Sequence, residues 1–243
     1  MGGEGAPEGR LTPDFAGRRD AARARLDAID PHKRDGGVDA DPLRRNWFEA
    51  VYRLAEGDAA CVPWGDLAPH PLLVDRLSRE EKSLRGLRAL DVGCGLGDNA
   101  EALAAAGAKV SAFDFVDAAI EWSKRRFPQS PVDYRTADLF AQPAEWRGAF
   151  DLVHECYTLQ ALPETLLDKA AEALASAVAP GGRLLVIARA REEGENYAGP
   201  PWPLTRQQIE GLAVDGLKLQ SVEALAARGD RPHWRAVLSR LRT

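Results

Sequence analysis

Short apolar runs alternate with helical segments along most of this chain, and that alternation restricts the fold more than any other feature. Helices of about 10–15 residues between such runs are typical of β-α-β units and a mostly parallel sheet. The predicted strands cover residues 87–92, 109–114, 131–135, 150–155, 182–189, 217–225 and 233–238. The predicted helices lie near residues 98–107, 117–127, 163–179 and 205–212. We therefore expect an α/β fold with a seven-stranded, mostly parallel sheet and helices on both faces.

The region before this alternation divides into two parts. Residues 1–13 are rich in Gly, Pro and Glu, and so apolar-poor a segment cannot offset the entropy of ordering, which predicts a disordered tail. Residues 14–82 contain predicted helices near 14–29 and 42–57, separated by a loop at 35–37. We expect this region to form a helical cap over a core that spans residues 83–243.

Composition excludes several classes of protein. A hydrophobic content of 45% can build one well-buried core, but no apolar run approaches the roughly 18 residues of a membrane span. A net charge of −5 argues against nucleic acid as a partner. Cys61, Cys94 and Cys156 are too scattered to define a disulfide framework or a metal cluster. The scattered cysteines fit a reducing compartment, and the N-terminus lacks the basic start and apolar run of a secretory signal. The sequence therefore predicts a cytoplasmic protein.

A glycine-rich turn follows the first predicted strand of the core. Residues 91–97 read Asp-Val-Gly-Cys-Gly-Leu-Gly, with an acidic residue, Asp91, before the turn. Glycine allows the backbone to approach a ligand where a side chain would collide, although any tight strand-to-helix turn also favours it. Asp98 stands where the dinucleotide fingerprint has its third glycine. The glycines of the turn are Gly93, Gly95 and Gly97.

This turn resembles the first motif of the class I methyltransferases, acidic-x-Gly-x-Gly-x-Gly, which wraps the amino acid half of S-adenosylmethionine. The resemblance implies a Rossmann-like fold and S-adenosylmethionine as cofactor. It also implies an acidic residue at the end of the second strand for the ribose hydroxyls, which Asp114 supplies. A polar residue after the third strand would face the adenine amino group, and Asp138 stands there.

The chemistry of these positions suits such a ligand. Ligands of open α/β sheets bind at the carboxyl ends of strands. The carboxylate of Asp114 can accept from two vicinal hydroxyls, and Phe115 and Leu139 offer apolar faces to a flat adenine. Each aspartate has an alternative role as a helix cap, and the apolar residues have one as ordinary core.

The end of the fourth predicted strand is where this fold brings the methyl acceptor. Residues 150–157 lack the Asn/Asp-Pro-Pro-aromatic motif of enzymes that methylate nucleobase amines. Adjacent strand residues such as His154 and Glu155 point to opposite faces, so with Asp151 they make a poor metal site, and we predict no metal. Glu155 is a candidate cofactor-binding residue.

Two peripheral segments narrow the resemblance. Residues 62–71 and 199–205 are similar to segments of the thiopurine and halide/thiol methyltransferase group. The resemblance to this group runs from about Trp47 to the end of the chain, and these two segments are the ones specific to the group. The likeness implies that Trp64 lines the methionine end of the cofactor and that Trp47 is one of the group's upstream tryptophans. The group's tyrosine after the fourth strand aligns with Cys156, with Tyr157 one position later. Tyr157 is therefore a candidate catalytic residue.

The sequence thus predicts methyl transfer from S-adenosylmethionine to a small molecule, with a thiol or another sulfur acceptor favoured by the group resemblance. Methylation of nitrogen or oxygen in a small metabolite is the alternative, and a non-catalytic cofactor-binding module is a third possibility. His154 is a candidate base because an ordinary imidazole titrates near pH 6.5, yet a thiol barely needs one. The acceptor and the oligomeric state stay open.

Overall fold

The computed structural model describes residues 13–34, 41–79, 83–227 and 231–242. The predicted disordered tail, Pro13 excepted, and the predicted loop at 35–37 lie outside the described residues. None of the described helices combines the length and the apolar character needed to cross a membrane.

The described residues form a single seven-stranded sheet with the order β3-β2-β1-β4-β5-β7-β6. Neighbours from β3 to β5 run parallel, whereas β7 runs antiparallel between β5 and β6. The prediction of a seven-stranded, mostly parallel sheet is confirmed. The strands are β1 Arg88–Val92, β2 Lys109–Asp114, β3 Asp133–Thr136, β4 Phe150–Cys156, β5 Val178–Arg189, β6 Leu217–Leu225 and β7 His233–Arg240.

Helices cover both faces of the sheet. One hydrophobic cluster packs α7 and α8 against one face, and another packs α4 and α5 against the other. Successive side chains of a strand point to opposite faces, so Leu184 belongs to the first cluster and Leu185 to the second. Burial on both sides explains why the central strands read as continuous apolar runs. The helices are α1 Pro13–Ile29, α2 Pro31–Arg34, α3 Arg45–Ala55, α4 Pro71–Ser78, α5 Asp98–Ala105, α6 Asp117–Arg126, α7 Leu167–Ala177 and α8 Arg206–Glu210.

The N-terminal helices pack beside the carboxyl end of the sheet. A third cluster joins Phe15 of α1 and Val51 of α3 to Trp122 of α6 and to Leu96 in the glycine-rich turn. Arg19 of α1 also donates to the carbonyl oxygen of Gly65 at 2.6 Å. These contacts hold α1, α3 and the 62–66 segment over the strand ends, where a cap can contribute to a site.

Several element bounds differ from the sequence prediction by a few residues, and the short helix α2 was not predicted. The helix predicted at 163–179 is observed at Leu167–Ala177, after a 3₁₀ turn at Glu164–Leu166. Strand β5 starts at Val178, which pairs with Phe150, and extra residues of β5 then bulge out before Arg183 pairs with Leu152. Helix α4 was not predicted. Pro71 stands in its first helical turn, where a missing N–H costs nothing, so this proline does not prevent the helix. His70 caps this helix, with its Nδ1 accepting from the Leu72 amide.

Candidate functional site

A cavity of about 790 Å³ lies at the carboxyl ends of β1, β2 and β4, beneath the N-terminal helices. Pockets for small molecules and cofactors measure about 300–1,000 Å³, so this cavity has the size of a ligand site. The cavity wall contains nine of the residues that the sequence singled out, namely Trp47, Trp64, Gly93, Gly95, Asp114, Phe115, Asp138, Leu139 and Tyr157. The wall does not include Asp91, Gly97, His154 or Glu155.

The glycine-rich turn forms the floor of this cavity. Gly95 has a φ of +54°, and a Cβ there would lie 3.3 Å from Nε1 of Trp64 and 3.5 Å from the hydroxyl of Tyr52. A larger side chain at Gly95 would fill this part of the cavity and strain the backbone. Gly97 serves packing instead, because a Cβ there would meet the Tyr134 hydroxyl at 2.5 Å.

Asp114 ends β2 and is held by the turn. Its Oδ2 accepts from the Gly95 amide at 3.1 Å, and its Oδ1 accepts from the Val116 amide at 3.0 Å. Burial raises the pKa of this carboxyl group to about 6, and the backbone amides only partly counteract that rise. Each carboxylate oxygen can accept a further hydrogen bond. Asp114 can therefore bind two neighbouring donors of a ligand.

Asp138 combines a structural contact with a place in the cavity wall. Its Oδ1 accepts from the Phe140 amide at 2.8 Å and so caps the short turn after β3. Its Oδ2 pairs with Arg45 of α3, whose guanidinium group lies 5.0 Å from the centre of the Phe115 ring. The capping role, which the sequence analysis gave as the alternative for Asp138, is therefore present in the fold. The ion pair of Asp138 with Arg45 was not predicted from the sequence.

Aromatic side chains from the cap and the core meet above the glycine turn. The Phe48 ring lies 5.3 Å from Trp64 and 5.5 Å from Phe115, and Trp47 lies 6.1 Å from Trp64. The indole of Trp64 donates to the Tyr52 hydroxyl at 3.0 Å, which fixes its orientation beside the turn. Electron-rich ring faces attract cations, and a sulfonium is one such cation.

A second group of predicted residues lies behind the cavity wall. Nδ1 of His154 lies 2.6 Å from Oδ1 of Asp91, and both side chains are buried between β1 and β4. Oε2 of Glu155 accepts from the amides of Thr158 and Leu159 at 3.0 and 3.1 Å. Burial raises the pKa of Glu155 to about 8, so its carboxyl group is protonated at neutral pH.

Tyr157 stands in the cavity wall immediately after β4. Its φ is 72°, a conformation that costs energy for a non-glycine residue and that clusters at functional sites. The tyrosine hydroxyl lies 2.9 Å from Nε2 of His70 and 2.7 Å from Nε2 of His233. Since Nδ1 of His70 accepts from the Leu72 amide, a neutral His70 donates from Nε2 to Tyr157. The tyrosine hydroxyl is then oriented to donate to His233.

The sequence offered little sign of this cluster. His70 lies 87 residues before Tyr157, and His233 lies 76 residues after it. His70 lies in the segment 62–71 that carries the group resemblance, but the resemblance gave it no role, and His233 begins a strand outside any motif. Among the described residues, no three His, Cys, Asp or Glu side chains are grouped in a way that could hold a metal ion.

Comparison with known proteins agrees with this architecture. Residues 89–182 match the family model described as a methyltransferase domain. A ubiquinone biosynthesis O-methyltransferase of Aromatoleum aromaticum is 32% identical over 150 residues, which are 60% of this chain and 62% of that protein. The chain thus spans about three fifths of that relative's length.

Solved structures give the same fold. A structure described as "Conversion of a Disulfide Bond into a Thioacetal Group during Echinomycin Biosynthesis" has a TM-score of 0.64 at 19% identity, covering 81% of this chain and 92% of that chain. The glycopeptide N-methyltransferase MtfA, solved with S-adenosylmethionine, has a TM-score of 0.57 at 14% identity, covering 72% and 95%.

The fold and the family match point to one class of protein. Residues 89–182 resemble a methyltransferase domain and lie within a Rossmann-like sheet, and S-adenosylmethionine is the cofactor of the class I methyltransferases. The comparisons bear out this class but not the narrower resemblance to the thiopurine and halide/thiol group.

The cavity fits this cofactor by its own geometry. The space beside Gly95 would be lost to a Cβ, and Asp114 keeps acceptor capacity at the same place. The Trp64 ring lies next to the turn. A carboxylate acceptor, an open backbone turn and an aromatic face are groups that a nucleoside joined to a sulfonium requires.

We expect cofactor affinity to fall as the pH falls through about 6, because ribose donors bind the Asp114 carboxylate better than its protonated form. The Asp114→Asn variant should lose about 1.5–3 kcal/mol of binding free energy and most of this pH dependence. Calorimetric titration with S-adenosylhomocysteine at about pH 5 and about pH 8 measures both effects. Affinity that is equal at the two pH values in the unmodified protein would remove Asp114 from the binding site.

We expect Glu155 to make stability depend on pH. Its folded pKa of about 8 lies above its ordinary value of 4.5, so its contribution to stability is complete below about pH 4.5 and is lost as the pH rises through about 8. Glu155→Gln mimics the protonated acid and should flatten this decline, which is on the order of a few kcal/mol. Denaturant unfolding across this pH range measures it.

The exposed Glu172→Gln variant is the matched control, and its stability should follow that of the unmodified protein at every pH. If Glu155→Gln keeps the full decline, the protonated state assigned to Glu155 is incorrect.

Proposed function

We propose that this protein transfers the methyl group of S-adenosylmethionine to a hydroxyl oxygen of a small molecule. The observation that carries the proposal is Tyr157, which lines the cavity and whose hydroxyl is hydrogen-bonded to His70 and His233. The hydroxyl group of a phenolic acceptor has an ordinary pKa of about 10, and it must lose its proton to become a good nucleophile. Tyr157 and its two histidines could take up that proton. The name of the Aromatoleum aromaticum relative, an O-methyltransferase, supports the same acceptor atom.

The cofactor would bind at the β1 and β2 side of the cavity. The Gly93 and Gly95 backbone would accommodate its amino acid part, Asp114 would accept from the ribose hydroxyls, and Asp138 would stand beside the adenine. The ring of Trp64 would face the sulfonium. When bound, S-adenosylmethionine supplies an electrophilic methyl group.

The proton of the acceptor would leave through Tyr157. The acceptor hydroxyl would donate its proton to the Tyr157 oxygen, while the Tyr157 proton moves to Nε2 of His233. His233 then carries the positive charge as an imidazolium, so no proton is lost or created. The hydrogen bond from His70 holds the tyrosine oxygen in place during this transfer.

The cap would contribute by orientation and by exclusion of water. Helix α3 and the 62–66 segment bring Trp47, Phe48 and Trp64 over the strand ends. An acceptor held between these rings and Tyr157 would be dry and restricted in orientation, which lowers the barrier to displacement.

This proposal replaces the sulfur acceptor favoured by the sequence. A thiol has an ordinary pKa of about 8.5 and is partly ionised at neutral pH, so it would leave the Tyr157 cluster without a use. The relative's name also points to oxygen rather than sulfur. His154 was the candidate base, but it is buried, is paired with Asp91 and does not line the cavity.

A matched panel of acceptors tests the proposal. Salicylate, thiosalicylate and anthranilate share one scaffold and differ in the acceptor atom. Catechol forms a second set with the analogues in which a thiol or an amine replaces one of its hydroxyl groups. With isotopically labelled S-adenosylmethionine, mass spectrometry should find the label on hydroxyl compounds. Labelling confined to the thiols would restore the sulfur acceptor, and labelling confined to the amines would favour nitrogen.

We expect Tyr157→Phe to lower kcat for hydroxyl acceptors by about 10²–10⁴-fold, the range of general acid–base catalysis, while leaving cofactor affinity unchanged. Tyr197→Phe is the matched control, since Tyr197 also lines the cavity but is not bonded to His70 or His233. Steady-state kinetics and cofactor calorimetry on both variants measure the difference. Equal kcat values for the two variants would contradict a proton path through Tyr157.

A further inference from the structure

The basic residues of the cavity wall differ in their partners. Four of them form an ion pair with an aspartate: Arg19 with Asp66, Lys33 with Asp27, Arg44 with Asp30 and Arg45 with Asp138. Arg23 is exposed on the outer helix α1. Arg189 differs from these residues because it is half-buried, and within the described residues its guanidinium group has neither a hydrogen bond nor an ion pair.

The backbone of Arg189 is firmly held. Arg189 is the last residue of β5 and pairs with His233 of β7. Its amide donates to Oε1 of the buried Gln160 at 2.7 Å, and its carbonyl oxygen accepts from the Leu204 amide at 2.8 Å. The guanidinium group lies 5.7 Å from the centre of the Tyr157 ring. Arg189 thus brings a positive charge, on a firmly held backbone, beside the tyrosine that we assign to proton removal.

Of the three glutamates in the following loop, Glu192 is exposed and the other two are engaged elsewhere. Glu193 accepts from the Gln207 amide at 2.9 Å, and Glu195 pairs with Arg231 at 2.9 Å. A half-buried cation has lost part of its hydration, so an anion in the cavity would bind it with a charge-assisted hydrogen bond. The planar guanidinium group matches a carboxylate through two parallel hydrogen bonds.

We propose that Arg189 is an anion-binding subsite that recognises a carboxylate on the methyl acceptor. The acceptor is then a hydroxy acid, with its carboxylate on Arg189 and its hydroxyl beside Tyr157. This inference rests on the proposed methylation of a hydroxyl group. It adds the chemical class of the acceptor and assigns to Arg189 a role in specificity.

Binding of a charged and a neutral probe tests the subsite without turnover. Salicylate and salicylamide both carry the hydroxyl group, but only salicylate carries the carboxylate. In calorimetry with the protein saturated by S-adenosylhomocysteine, salicylate should bind at least tenfold more tightly, which corresponds to about 1.4 kcal/mol. Arg189→Met should remove this preference, and Arg189→Lys should keep part of it, because lysine retains the charge but not the planar fork.

Two controls accompany these variants. Arg125→Met makes the same change of net charge on the exposed face of α6, outside the cavity wall, and should leave the preference for salicylate intact. The affinity of Arg189→Met for S-adenosylhomocysteine should be unchanged, which shows that the variant is folded.

Equal affinity for the two probes, a preference that survives in Arg189→Met, or no binding of salicylate would each overturn the subsite. Failure of the proposed function looks different. In that case salicylate binds through Arg189, but no hydroxyl compound is methylated and Tyr157→Phe changes nothing.

Discussion

The hydrogen bond from the Gly95 amide to the Asp114 carboxylate joins the ends of β1 and β2, and the cavity takes its shape from that bond. The Ser123 hydroxyl of α6 holds the other side of the turn by donating to the Gly95 carbonyl oxygen at 2.8 Å. A backbone held this way leaves open space under Trp64 and keeps a carboxylate buried within reach of a ligand. The same burial raises the pKa of Asp114, so the carboxyl group ionises less readily. Once ionised, it binds donors more strongly than an exposed carboxylate would.

Two clusters of titratable groups flank the end of β4 and have different environments. Asp91, His154 and Glu155 are buried behind the wall, where they connect strands and a loop. His70, Tyr157 and His233 meet where Tyr157 borders the cavity. General acid–base chemistry requires contact with the acceptor, so the second cluster is the one suited to it. Arg189 adds a positive charge beside Tyr157, so the proposed acceptor site differs in its charge from the proposed cofactor site at Asp114.

The sequence predicted those features that depend on neighbours along the chain. The pattern of apolar residues located β2 and β6 at their observed bounds. The positions of the glycine-rich turn after β1 and of Asp114 at the end of β2 were predicted from the same pattern. The Tyr157 cluster and the Arg45–Asp138 pair could not be predicted, because they join residues 76 to 93 positions apart that only the folded chain brings together. His154 illustrates the same limit. Alternation along a strand indicates that neighbours face opposite ways, but not that His154 would be enclosed against Asp91.

Both proposals require that the cofactor binds at the glycine-rich turn, and titration calorimetry with S-adenosylmethionine measures this binding. The unmodified protein should bind the cofactor, whereas Gly95→Val should lose binding because the side chain would collide with Trp64, while circular dichroism shows that the fold remains. Gly17→Val, where a Cβ meets open space, should bind normally. Absence of binding to the unmodified protein, or equal binding by a folded Gly95→Val variant, would rule out a cofactor site at this turn.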